Sequence, residues 1–409
     1  MNRSASGAEA RQPPLPADTP FPAPCPRRIL LVVTEDWFAL SHFQPLITTL
    51  VALADEVVVA TRSSGRLGEI AALGARVIPF DLRRAQLSPL TQAAVVRRLA
   101  RLIRAERPDV VHVIAMQPMV IASLALRLVP ETPVMLHLTG LGFLGISEGR
   151  TARFIRPAAF AALAAITRRR SAYVLAENPE DHAYLVANGA APPERYTLLG
   201  GAGIDPDELP ALPPPAVDRV VAAFVGRMIK PKGVEVLIEA ARLLAERRVP
   251  IEIALYGRVD DDNPDALDAE TIRAAERSGL VRWHGHVSDI SAVWRCSDIA
   301  VLPAITREGM PRAVLEAAAS QRPLVVTDVP GCRHFVRPGR DGLIVPPGDA
   351  VALADALQHL ASDRAVREAM GVAARQRVLD GFTIAEVQAG IRAAYGALLA
   401  ACPPRRAQA

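Results

Sequence analysis

The sequence predicts an α/β protein made of two doubly wound, Rossmann-like domains facing each other across a cleft. Three observations carry this. Short β-branched runs alternate with segments of helical spacing, the mark of parallel α/β architecture. The 409 residues are 50% apolar and 22% charged, enough for two or three domains of ordinary globular composition and unlike a disordered chain. The rhythm breaks once, at residues 204–217, a stretch dense in Pro, Asp and Glu, and then resumes.

Residues 1–26 are rich in Pro and Ala, have no apolar period, and read as a disordered leader. They lack the basic-then-apolar layout of a signal peptide. In a first domain, residues 27–203, strands are expected at Ile29–Thr34, Glu56–Thr61, Arg76–Phe80, Asp109–Ile114, Pro133–Leu138 and Ala172–Ala176. Phe43–Leu53 and Leu90–Ala105 between them have helical spacing. After the linker, a second domain, residues 218–385, has strands at Val220–Val225, Ile251–Tyr256, Val281–His284, Ile299–Leu302, Leu324–Thr327 and Leu343–Val345. Val234–Glu246 and Pro311–Ser320 are its clearest helices, and a helix with a tail, 386–409, closes the chain. Ligands of such sheets sit beyond the carboxyl ends of the strands.

Several function classes fall away on composition. The four cysteines, Cys25, Cys296, Cys332 and Cys402, lie far apart, which argues against a disulfide scaffold or structural zinc and fits a reducing cytosol. The most apolar stretch, Val110–Val129, is interrupted by His112, Gln117, Pro118, Ser123 and Arg127, so it reads as a strand and a helix, not a membrane span. Net charge is +4, unevenly spread: residues 1–190 hold 21 Arg against 15 acids. That suits an anionic partner or a membrane surface, but without aromatics among the basic residues it does not suggest nucleic acid.

Of 47 basic residues only two are lysine, Lys230 and Lys232, in one loop. A chain that otherwise uses arginine has a compact, mobile ammonium there. In Phe224-Val-Gly-Arg-Met-Ile-Lys-Pro-Lys-Gly233 a strand ends at a glycine, and Arg227 and Lys232 precede a helix. Two cations at that place make a diphosphate site; the plain alternative is a solvated basic loop. In Arg307-Glu-Gly-Met-Pro-Arg-Ala-Val-Leu-Glu316, Pro311 suits a first helical turn, so Glu308, Gly309 and Met310 lie just before it. Gly309 lets backbone N–H groups approach a ligand, and Glu316 is placed to accept from sugar hydroxyls. Two ordinary surface glutamates are the alternative.

These stretches, with TDVPGCRHFVRPGRDGLIVPPGD (327–349), resemble the retaining glycosyltransferases of family 4, which have the GT-B fold. The resemblance covers nearly all of residues 27–400. It implies that Arg227 and Lys232 hold a donor diphosphate, Glu316 the nucleotide ribose, and Glu308 the hydroxyls of the transferred sugar, with no metal or other cofactor. It places Gly257 and the turn at His284 and His286 on the nucleotide side, with backbone groups reading the base. LSHFQPL (40–46), TGLGFLG (139–145) and YGRVDDDNPDAL (256–267) look most like enzymes that extend a polyprenyl-diphosphate-linked sugar with an N-acetylhexosamine from a UDP-sugar. Those would be cytoplasmic, with the possibility of a peripheral place on the inner membrane face. A soluble acceptor, or a nucleotide-sugar 2-epimerase of the same fold, stays open.

The first half departs from the family pattern. Thr139 stands where many members have a catalytic-site histidine before Gly140, and His137 lies two residues earlier on the same strand face. His137 either substitutes for that histidine or packs in the core. Ser41, His42 and Gly140 are acceptor-side candidates. Two other patterns read as coincidences. Gly140–Gly145 matches the dinucleotide fingerprint but follows the fifth strand rather than the first. Asp260–Asp262 mimics a metal-binding run but lies in a polar loop, where solvated aspartates are expected.

Overall fold

In a computed structural model, the structure describes residues 25–82, 89–142, 149–215, 219–260 and 263–403. Among them the first half forms strands β1 (Arg28–Glu35), β2 (Glu56–Arg62), β3 (Arg76–Pro79), β4 (Val110–Ile114), β5 (Val134–Leu138), β6 (Ala172–Ala176) and β7 (Tyr196–Leu198). They make one parallel sheet in the order β3-β2-β1-β4-β5-β6-β7, with Leu30 paired to both Val58 and Val111. Its helices are α1 (Asp36–His42), α2 (Gln44–Leu53), α3 (Leu67–Ala72), α4 (Pro89–Glu106), α5 (Met116–Ala125), α6 (Arg150–Thr167) and α7 (Pro179–Ala187).

The second half forms β8 (Val220–Val225), β9 (Ile251–Tyr256), β10 (Arg282–Trp283), β11 (Ile299–Leu302), β12 (Leu324–Thr327) and β13 (Gly342–Val345), a parallel sheet in the order β10-β9-β8-β11-β12-β13. Its helices are α8 (Val234–Glu246), α9 (Ala269–Arg277), α10 (Ile290–Arg295), α11 (Arg312–Ala319), α12 (Pro330–Phe335), α13 (Ala350–Ser362) and α14 (Arg364–Leu379). The strand order reverses between β1 and β4 in one sheet and between β8 and β11 in the other. Those are the points where α/β sheets bind ligands.

The β-branched runs become strands because both faces of each sheet are covered. Along β1, Leu30 and Val32 join the cluster of Val111, Leu136 and Leu163, while Ile29, Leu31 and Val33 join that of Ile47, Leu50 and Tyr395. Most expected boundaries fall within two residues of those found. The three-residue β7 was not expected, and β10 is shorter than the run that suggested it. Pro311 stands one residue before α11, with φ −69° and ψ 114°, rather than within its first turn.

Helix α15 (Ile384–Ala401) leaves the second domain and returns to the first. Thr383 and Glu386 form a capping box at its start, and Val387, Ile391, Ala394, Tyr395 and Leu398 complete the core beneath β1 and α2. The chain thus crosses between the sheets twice. The crossings are bonded together: Ile204 N–H donates to the Phe382 carbonyl and Ile384 N–H to the Ile204 carbonyl, each at 2.9 Å.

His112 and His137 lie in this core, and their rings stand 5.6 Å apart. His112 Nδ1 lies 2.9 Å from the Tyr395 hydroxyl, whereas both ring nitrogens of His137 are buried without a hydrogen-bond partner among the described residues. Burial holds His137 down to about 3, against the usual 6.5. Below pH ~6.5 the unfolded chain therefore takes up a proton that the folded protein refuses. Stability should fall as pH drops from 6.5 toward 3, by up to about 1.4 kcal/mol per unit for this one group. Urea unfolding at pH 7.5 and pH 5 checks this. His137→Leu should reduce the difference, since other buried histidines also contribute, and an unchanged slope in that variant would refute the assignment.

Candidate active site between the two sheets

At the carboxyl end of β8 the backbone is locked to its neighbour. Gly226 N–H donates to Tyr256 at 2.9 Å and Met228 N–H to Arg258 at 3.0 Å. This aims Arg227 outward. A 3₁₀ turn, Lys230–Lys232, then leads into α8. Lys230 is exposed, but Lys232 turns inward, its Nζ 2.8 Å from Glu308 Oε1. Arg227 donates to Asp260 Oδ2 at 2.7 Å. Asp260 is thus half-buried and ion-paired, not solvated as the sequence suggested, because the loop after β9 folds back over the end of β8. Asp261 and Asp262 lie outside the described residues.

Across the cleft, α1 brings Ser41 and His42 toward these cations. Ser41 Oγ is 2.7 Å from His42 Nδ1. Burial, and then the positive charges of Arg312, Lys232 and Arg227, hold His42 at about 3, so its imidazole is neutral at physiological pH.

The loop 307–310 carries the next group. Gly309 is required for space: a Cβ there would stand 2.3 Å from the Thr139 carbonyl oxygen and 2.6 Å from Glu177 Oε2. On its other side, a Cβ at Gly331 would fall 1.8 Å from the Gly309 carbonyl. Glu308 therefore sits on a backbone pressed between β5, β6 and α12, its carboxylate turned toward Lys232. Two expectations change here. The Met310 side chain is buried against Gly201, and its N–H donates to Glu177 Oε2 at 3.0 Å, so it is not offered to a ligand. Helix α11 opens only at Arg312, so its dipole acts from beyond Gly309. Glu316 is 7% exposed and bonded to Arg312 at 2.6 Å, and burial raises its carboxyl above the usual range.

From the first domain, Thr139 and Gly140 contribute backbone beside Gly309, with the Gly140 Cβ position 3.5 Å from Gly309 N. His137 does not join them. It is 1% exposed, and its ring packs edge-on against Phe43 at 5.4 Å. Strand alternation sends Met135 and His137 to the face that α2 and α15 cover. Of the Gly140–Gly145 pattern, residues 143–145 lie outside the described residues.

At the turn where a nucleotide was expected from the sequence, Gly257 N–H donates to Gly285 at 2.6 Å and Trp283 Nε1 donates to Gly257 at 2.8 Å. Tyr256 stacks on His284 at 4.5 Å, and His286 is exposed at the rim of the same turn.

Sequence reasoning missed Glu177, Asn178, Asp181 and Arg307. Asn178-Pro179-Glu180-Asp181 is legible as a helix start, with an N-cap, a proline and two acids. What it touches is 130 residues away in the chain: the Asn178 amide donates to the carbonyls of Glu308 at 3.4 Å and Gly309 at 3.2 Å.

Residues 219–363 match the family described as glycosyl transferases group 1, and residues 41–201 match the glycosyl transferase 4-like domain. Among curated relatives, the capsular polysaccharide biosynthesis glycosyltransferase CapM of Staphylococcus aureus is 28% identical over 44% of this chain and 47% of its own length. This chain thus spans about half of that relative. The N,N'-diacetylbacillosaminyl-diphospho-undecaprenol α-1,3-N-acetylgalactosaminyltransferase of Campylobacter jejuni is 25% identical over 80% of this chain and 88% of its own. Among solved structures, Anabaena HepE in complex with UDP-glucose superposes with a TM-score of 0.70 at 18% identity, covering 89% of this chain and 98% of that one. With two parallel Rossmann-like sheets and both domain models matched in order, the chain belongs to the group 1, family 4 glycosyltransferases of GT-B fold.

Proposed function

We propose that this protein is a retaining transferase that moves a sugar, an N-acetylhexosamine, from a UDP-sugar to a polyprenyl-diphosphate-linked saccharide during assembly of a surface polysaccharide or glycan. The observation that carries the transferase chemistry is the convergence of Arg227, Lys232 and Glu308 at the carboxyl ends of β8 and β11, with Lys232 Nζ 2.8 Å from Glu308. UDP-sugar as donor is supported by the HepE complex, and a lipid-linked acceptor by the name of the Campylobacter relative.

In this reading the donor diphosphate displaces Asp260 from Arg227 and draws on Lys232, while Glu308 accepts from hydroxyls of the sugar. Glu316 faces the ribose. As the bond from the anomeric carbon to the diphosphate oxygen breaks, the two cations take up the charge that gathers on the leaving group. The acceptor oxygen bonds to the same face of that carbon, and its proton passes to the departing diphosphate oxygen. Neutral His42, with Ser41 behind it, and the Thr139–Gly140 backbone line the acceptor side.

A membrane-bound acceptor is supported by α6, where Phe154 is 87% exposed and Arg153 is exposed beside it, with Arg168 and Arg170 exposed past its far end. No helix among the described residues is long and apolar enough to cross a membrane. The protein would bind peripherally, each arginine near an anionic surface contributing ~1 kcal/mol.

The test is transfer from UDP-N-acetylhexosamines in excess chelator, to a polyprenyl-diphosphate sugar and to a free sugar, alongside salt-reversible binding to anionic vesicles. Transfer to the lipid-linked acceptor without metal is expected. Equal rates on the free sugar with no vesicle binding would remove the lipid acceptor and leave the transferase. Donor conversion without any acceptor would point to an epimerase.

A further inference from the structure

The loop that bears Glu308 is held by the other domain. Asp181, buried at the start of α7, accepts both Nε and Nη2 of Arg307 at 2.9 and 2.8 Å. The Asn178 amide reaches the carbonyls of Glu308 and Gly309, and at 2.9 Å also Asp181 Oδ2. Glu177 Oε2 accepts the Met310 N–H at 3.0 Å. Four consecutive residues, 307–310, are thus gripped by three side chains from one turn after β6. Among the described residues, Arg227 and Lys232 are paired to Asp260 and Glu308 and not to any of the three.

We infer that Glu177, Asn178 and Asp181 are positioning residues for the donor-sugar loop, so that the first domain sets where Glu308 meets the transferred sugar. This rests on the donor assignment proposed above. A loop placed by groups of one domain and bearing a ligand group of the other is correct only when both are seated. A sugar-contacting carboxylate misplaced by 1 Å costs on the order of 10²-fold in rate.

Glu177 also gives the grip a readout of its own. Burial, with Asp181 and Glu308 adding negative charge nearby, pushes its carboxyl up to about 8, against the Met310 N–H, which favours ionisation. The charged groups around it are Asp181, paired to Arg307, and Glu308, paired to Lys232. Below pH 8 it is protonated and neutral, and above that a new negative charge faces two others.

The experiment uses the full chain with Glu177→Ala, Glu177→Gln and Asn178→Ser. Serine still caps α7 but lacks the amide donors. The expected result is a kcat 10- to 100-fold lower for Glu177→Ala and Asn178→Ser, with the Kd for UDP within about threefold of wild type. Glu177→Gln keeps an oxygen for Met310 and should restore kcat to within about threefold at pH 7. It should also hold its rate above pH 8, where wild type declines. Wild-type kcat in Asn178→Ser and Glu177→Ala, or Glu177→Gln as damaged as Glu177→Ala, would overturn the inference. Should Glu177→Ala fail to fold, Asn178→Ser and the pH profile of Glu177→Gln decide it alone. A wild-type protein that binds neither UDP nor UDP-sugars would instead bring down the donor assignment, and this inference with it.

Discussion

Lys232→Ala and Arg227→Ala should each lower kcat/KM for the nucleotide-sugar donor by about 10²-fold or more, the scale of losing one preorganised donor to developing charge. The expectation follows from how little else can serve. Both side chains stand at the end of β8, and both are held in ion pairs, to Glu308 and Asp260. Lys232 is only partly exposed, so an interaction with the proposed diphosphate would be little diluted by bulk water. Lys230→Ala is the internal control, because Lys230 is exposed two residues before Lys232 and makes no ion pair among the described residues. It should cost less than about threefold. Steady-state kinetics on the three variants decides the matter, and equal losses at Lys230 and Lys232 would sink the assignment.

Gly309→Ala should be as damaging, for a reason of space rather than charge. The added methyl would lie 2.3 Å from the Thr139 carbonyl and 2.6 Å from Glu177 Oε2, so the loop must move away from the first domain. A shift of this size costs ~10²-fold in rate when it misplaces a contact to substrate. Overpacking of this kind typically costs ~1–3 kcal/mol of stability, an amount that leaves a protein of this size folded. UDP affinity should change much less than kcat, since the cations are on a different loop. A Gly309→Ala enzyme with wild-type kcat would mean that the loop tolerates displacement, and the close approach at Gly309 would then have no catalytic meaning.

The parts of this architecture that were legible in the sequence are those written in local pattern. Val220–Val225 and Val234–Glu246 fall where β-branched and amphipathic spacing put them, because burial on two faces or one is itself periodic. The cations at 227 and 232 stood out by residue choice and by their place after a strand. The rest depends on contacts between distant segments. Alternation tells that His137 shares a face with Met135, but not that α2 and α15 close over that face. Asp260 looked solvated because nothing near it in sequence announces Arg227, 33 residues earlier. Glu177 and Met310 are 133 residues apart, and no spacing rule connects them. β7, at three residues, is shorter than any window in which a period can be counted.

The return of α15 to the first domain has a consequence for the order of events during synthesis. A ribosome releases the residues of β1 to β7 first, and these could pair at once. Yet the face lined by Ile47, Leu50 and Leu199 receives Ile391, Tyr395 and Leu398 only when α15 emerges. At ordinary translation rates of ~5–20 residues per second, the interval between Leu199 and Ile391 is on the order of tens of seconds. Throughout it, a nascent chain carries a sheet with one apolar side only partly roofed, by α2 and not yet by α15, while the second domain is still being made. Of the two domains, the first therefore begins to fold before the second and finishes after it.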